Sequence, residues 1–214
     1  MNNSQSTLVY VVRHGETEWN LAGKQQGHLD SPLTALGIKQ AYALGEGLMN
    51  RGIEFIISSD LGRASKTSEI IASKLKLSVT TNELLRERHL GSLQGLTKEE
   101  WRNKYPNEWT LYKSGDPDYC FPGGESARQR YNRAINCVEL LAEQYKRKVI
   151  LLVTHGGILS GLFYHATGLP LTVPRRFSLF NASISSFSID RNIWKMLTWG
   201  ETQHLQGLET LDDN

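Results

Sequence analysis

Cysteine, proline and net charge are all scarce in this chain. Its 214 residues include two cysteines, Cys120 and Cys137, and six prolines. Two cysteines without metal-ligand pairing fall short of a disulfide framework and fit a reducing, cytosolic compartment. Lys and Arg number 24 against 22 for Asp and Glu, a formal charge of +2. That balance excludes a surface built throughout for nucleic acid and leaves room for a local basic pocket. The longest apolar run, 149–153 (VILLV), is far short of the roughly 20 residues that span a bilayer. The opening MNNSQSTLVYVV has no basic segment before its apolar stretch, and Arg13 stops that stretch, so no leader is expected. What remains is 39% hydrophobic and 21% charged, a globular composition whose length suits one domain over 1–214. A cytoplasmic protein with no membrane and no nucleic-acid partner is the expectation.

Periodicity supplies the elements. Residues 8–12 (LVYVV) are a short, β-branched apolar run and predict a buried strand. Thr34 opens a helical pattern that ends near Arg51 and Gly52. Residues 55–58 (FIIS) predict a second strand, 61–75 a helix, and 77–81 a third, weaker strand. Thr97 and Glu100 have the spacing of a capping box before a short helix over Trp101 and Tyr105. Beyond it Pro106, Gly115, Pro117, Pro122 and the Gly123-Gly124 pair predict a loop-rich insert, set at about 88–124. A long helix is expected over 125–145, the most apolar strand over 149–154, and a short helix after Gly157. Residues 184–189 and 194–199 close the chain as two strands joined by a turn at Asp190, Arg191 and Asn192. Strands alternating with helices predict a three-layer α/β/α sandwich. Its central sheet is mainly parallel, and the closing pair forms an antiparallel edge.

In such folds ligands bind beyond the carboxyl ends of the strands. The first strand runs directly into Arg13-His14-Gly15, and the most apolar strand runs directly into His155-Gly156-Gly157. Either histidine alone reads as a structural residue; matched contexts at two strand ends favour a site. Arg63, just past the second strand, adds a guanidinium to that of Arg13, and two such forks suit a phosphoryl group. Glu87, after the third strand, supplies a carboxylate, although Glu83 and Glu99 serve equally well on position alone.

Together VVRHGETEWN, GHLDSPLTALG, SSDLGRASKT, RERHLGSLQG and VTHGG resemble the histidine phosphatase superfamily, which includes the cofactor-dependent phosphoglycerate mutases. The resemblance implies a metal-independent enzyme that needs no cofactor. It makes His14 the nucleophile, forming a phosphohistidine, with His155 beside it and Glu87 as proton donor. Arg13, Arg63 and Asn20 then hold phosphoryl oxygens, His155 joins them if cationic, and Gly156 offers an amide. Thr17, Gln26 and Gly27 line the same loop in the family. Leu90 stands where the mutases carry a tyrosine, and Gly157 replaces the asparagine after their second HG. The insert lacks their paired arginines. These departures imply a pocket with fewer charges at its far end. They favour a phosphomonoesterase acting on a small phosphorylated metabolite over a mutase interconverting 2- and 3-phosphoglycerate. A phosphate-binding protein without activity is the third reading. Family members are often dimers, but no coiled-coil seam here predicts one.

Overall fold

The computed structural model describes residues 6–191 and 193–212. Six strands form one sheet in the order β3-β2-β4-β1-β5-β6. In chain order the elements are β1 (Thr7–Arg13), α1 (Glu18–Leu21), α2 (Ala35–Leu48), β2 (Phe55–Ser58), α3 (Gly62–Leu75) and β3 (Val79–Thr81). There follow α4 (Lys98–Lys104), α5 (Pro106–Lys113), α6 (Ala127–Gln144), β4 (Val149–Thr154), α7 (Gly156–Thr167), β5 (Ile184–Asp190) and β6 (Ile193–Glu201). The first four strands of the sheet order pair in parallel, and β5 and β6 are antiparallel additions at one edge. The α/β sandwich expected from the alternating pattern is therefore the observed fold. Of the turn expected between the last two strands, Asn192 lies outside the described residues.

The middle strands are buried on both faces, which is why they read as unbroken apolar runs rather than alternating ones. Side chains still alternate between two cores. Val9, Val11, Ile150 and Leu152 pack with Ala134, Val138, Ile158 and Leu162 of α6 and α7. Val12, Leu151 and Val153 pack with Leu44, Leu48, Ala64 and Ile71 of α2 and α3. Helices thus cover both faces, giving three layers.

The stretch expected to be loop-rich contains two helices. Thr97 and Glu100 form the expected capping box of α4. Next, Pro106 starts α5 from its first turn, a position where proline's fixed φ and missing N–H cost nothing. Sequence punctuation alone reads that proline as a breaker. Leu93, Trp101 and Phe121 make a third, separate core under these helices. Boundaries also shift: β3 begins at Val79 rather than residue 77, and α7 begins at Gly156, immediately after His155.

Candidate active site

Strand register explains why the two histidines meet. β1 and β4 are direct neighbours with Arg13 opposite Thr154, so the next residues, His14 and His155, leave the sheet side by side. Their ring centroids lie 5.2 Å apart. Both are buried, and the His14 ring lines a cavity of about 210 Å³ over this sheet edge. The Nδ1 of His14 lies 2.8 Å from the Gly15 carbonyl. A carbonyl can only accept, so Nδ1 carries the proton and Nε2 keeps its lone pair. His155 is fully buried, with Nε2 2.8 Å from Ser59 Oγ and Nδ1 unpartnered. The Leu61 amide donates to the same Ser59 oxygen and braces the hydroxyl against the ring.

Both imidazoles are held well below their ordinary pKa. Burial is the larger cause for each; the positive field of Arg63 follows, with Arg13 adding to it. Both are therefore neutral near pH 7. For His14 that is the nucleophilic form. For His155 the same fields favour the neutral ring over the cationic one.

The guanidiniums are fixed from behind. Arg63 donates to the carbonyls of Leu29 (3.0 Å) and Gly27 (2.8 Å) and to Asp30 (2.9 Å). Asp30 also accepts the amides of Gly62 and Arg63. It thereby caps α3, whose own N-cap residue, Leu61, has no side-chain bond to offer. Arg13 donates to the Leu179 carbonyl. Both guanidiniums border the cavity. Asn20 accepts on Oδ1 from the Thr17 amide (3.1 Å) and hydroxyl (3.0 Å). Its Nδ2 is thus the end left for a ligand, and Asn20 does line the cavity.

Thr17 is corrected. Its hydroxyl donates to Asn20 and accepts from the Asn20 amide and Gln26 Nε2. With those bonds made and the residue fully buried, Thr17 orients Asn20 and Gln26 and does not itself border the cavity. Gln26, Gly27 and Gly156 do border it.

Glu87 reaches the same cavity. Its oxygens accept from the amides of Arg88 (2.7 Å) and Gly157 (2.8 Å). His28 and Arg133 both bond the Glu87 carbonyl, and Arg133 also ties down the carbonyls of Leu84 and Arg86. Neither Glu83 nor Glu99 borders the cavity. The cavity is not poor in charge, contrary to expectation. Arg88 and Arg130 line it together with Leu90, Trp101 and Tyr112. Sequence reading missed Arg130, Ser59 and Asp30, because an arginine within an amphipathic helix and a polar residue in a loop carry no local signal of what they face.

A buried imidazole with a free lone pair, a second imidazole against it and converging guanidiniums at the carboxyl ends of parallel strands define a phosphoryl-handling site. The sequence profile of the histidine phosphatase superfamily (branch 1) matches residues 9–202. The chain belongs to that superfamily. It is 40% identical over 212 residues to a probable phosphoglycerate mutase, GpmB, of Proteus mirabilis, covering 92% of this chain and 94% of that one. Among solved structures it resembles YhfR of Bacillus stearothermophilus, with TM-score 0.86, 30% identity, and 93% and 99% of the two chains covered. It also resembles a phosphoserine phosphatase from Entamoeba histolytica, with TM-score 0.84 and 30% identity over the same shares.

Proposed function

We propose that the chain is a phosphomonoesterase working through a phosphohistidine on His14. The observation that carries this reading is the Nδ1 bond to the Gly15 carbonyl, which leaves His14 Nε2 unprotonated in a cavity bordered by Arg13 and Arg63. The Nε2 lone pair attacks phosphorus, and the P–O bond to the alcohol breaks. Glu87 gives its proton to the departing oxygen. Water then attacks the same phosphorus, Glu87 takes the water's proton, and the P–N bond breaks to release phosphate. Charge spread over the transferring oxygens is met by Arg13, Arg63, the Asn20 side-chain amide and His155. Positioning and fixed charge supply most of the rate enhancement in such a transfer.

Hydrolysis rather than a mutase reaction is supported by Leu90 and Gly157, which offer no polar side chain where the mutases have one. The mutase reading is favoured by the name of the Proteus relative. One set of assays separates them. Phosphate release from p-nitrophenyl phosphate, an acid-labile label trapped on the protein, and no conversion of 3- to 2-phosphoglycerate are expected. His14→Ala should lower turnover about a thousandfold or more and abolish the label. Interconversion dependent on a bisphosphoglycerate primer would establish the mutase instead. A label that persists in His14→Ala would remove the nucleophile assignment.

A further inference from the structure

A fully buried carboxamide sits against the reactive loop without bordering the cavity. Asn181 lies just before β5, and the antiparallel register that sets Ile184 opposite Val12 carries the chain back past His14. Its Nδ2 lies 3.1 Å from the His14 carbonyl and 3.4 Å from Asn20 Oδ1. The first oxygen can only accept, and the second already accepts from the Thr17 amide. Only the nitrogen end of Asn181 therefore fits against them. The Ala182 amide donates to the same His14 carbonyl (3.3 Å). Ala182 is buried with φ at +56°, a conformation that a residue with a Cβ keeps only where its surroundings impose it. The segment is held in turn by the end of the chain. The Asn181 amide donates to the Leu211 carbonyl (3.0 Å), and its carbonyl accepts the Thr210 hydroxyl (2.7 Å).

The His14 carbonyl belongs to the peptide unit that joins His14 to Gly15, and the other end of that unit is gripped as well. The Gly15 amide donates to Thr67 Oγ1 (3.1 Å), a fully buried hydroxyl whose own proton goes to the Arg63 carbonyl (2.8 Å). A planar peptide held at both its oxygen and its N–H is fixed in direction. That direction sets where the next carbonyl, that of Gly15, points. The Gly15 carbonyl is the acceptor that keeps the proton on His14 Nδ1.

We propose that Asn181 and Thr67 are positioning residues that hold the His14–Gly15 peptide from its two ends and thereby keep the lone pair of His14 on Nε2. The proposal deepens the phosphatase reading and rests on it for its kinetic consequence. Neither side chain borders the cavity: both act through His14, and Asn181 also steadies Asn20.

Long-range proton–nitrogen spectra of protein carrying labelled histidine test it, read at pH 8 where the ring is neutral. Wild-type His14 should show a protonated-type Nδ1 and an unprotonated-type Nε2. In Asn181→Leu, close in size but without a donor, both signals should move towards the average of exchanging tautomers. Turnover of p-nitrophenyl phosphate should fall about thirtyfold in kcat with KM changed less than about threefold, because a misplaced nucleophile loses rate while the phosphate-binding groups stay. Thr67→Val removes the acceptor at the other end of the peptide and should move the same two signals. It carries the test if Asn181→Leu does not fold. A role in packing alone would lower stability and leave the tautomer unmoved. A folded Asn181→Leu, or in its place a folded Thr67→Val, whose His14 keeps the wild-type signals overturns the proposal, whatever happens to kcat. Shifted signals with an intact kcat overturn it too. If wild type releases no phosphate from p-nitrophenyl phosphate, the phosphatase reading is the one that fails, and the spectra alone decide the grip on His14.

Discussion

At the level of single residues, the site works through contacts that leave one atom of each group available. His14 spends Nδ1 on Gly15, Asn20 spends Oδ1 on Thr17, and Arg63 is braced by Asp30 and two carbonyls. Gly157 matters because Glu87 and Arg130 already fill the space beside its Cα. Gly157→Ala should therefore push the Glu87 carboxylate off its amide partners and lower kcat by about a hundredfold, as a displacement of an ångström can. A circular dichroism spectrum matching wild type would accompany that loss; unchanged kcat would show that the carboxylate tolerates the shift. The lowered pKa of His14 has a kinetic consequence as well. Its reactive neutral form persists below the ordinary imidazole value of 6.5, so the acid limb of kcat/KM assigned to His14 should lie below that pH. A limb at 6.5 or above, lost in no variant but His14→Ala, would contradict the burial and arginine fields described here.

Among the elements, the helices over the cavity are held differently from the sheet. Trp101 and Phe121 are buried with Leu93 in a small core of their own, and Trp101 packs its ring against Trp109, Tyr112 and Phe121. Trp101→Ala removes the largest side chain of that core, a change that costs about 3–5 kcal/mol in well-packed sites. Because this core is separate from the two flanking the sheet, the loss should appear locally. Amide exchange over 97–121 should quicken while the amides of β1 and β4 keep their protection. Equal acceleration in both regions would show that the third core is coupled to the main ones. The capping box of α6, made by Ser126 and Gln129, fixes the helix start from which Arg130 and Arg133 reach the site.

For the molecule as a whole, burying two imidazoles links stability to pH. His14 and His155 resist protonation in the folded state but take protons near pH 6.5 once unfolded. The unfolded chain therefore binds more protons as pH falls below 6.5, and folding stability drops from there towards the lowered folded values; above 6.5 the contribution is complete. His28, His165 and His204 are lowered too, each chiefly by burial, and share the slope. Urea unfolding from pH 8 to pH 5 should show a steeper decline in wild type than in His14→Asn. Parallel curves would mean that His14 is not protected from protonation by the fold.

How much of this was legible beforehand follows from the range of each interaction. Local pattern was enough for the strands 55–58 and 149–154, for the capping box at Thr97 and Glu100, and for the RHG and HG motifs at strand ends. Each of these depends on neighbours within a few residues. Pro106 misled because the same residue that breaks a helix from inside begins one at its first turn, and only the chain's path tells these apart. Arg130, Ser59 and Asp30 depended on partners tens of positions away, as in the bonds of Arg130 to Gly157, Asp30 to Arg63 and Ser59 to His155. Residue types and short spacings along the chain settled which chemistry is on offer and which strands carry it. Only the folded arrangement, by setting β4 beside β1 and α6 against the second HG, decided which charges face the ligand and which are spent holding the scaffold.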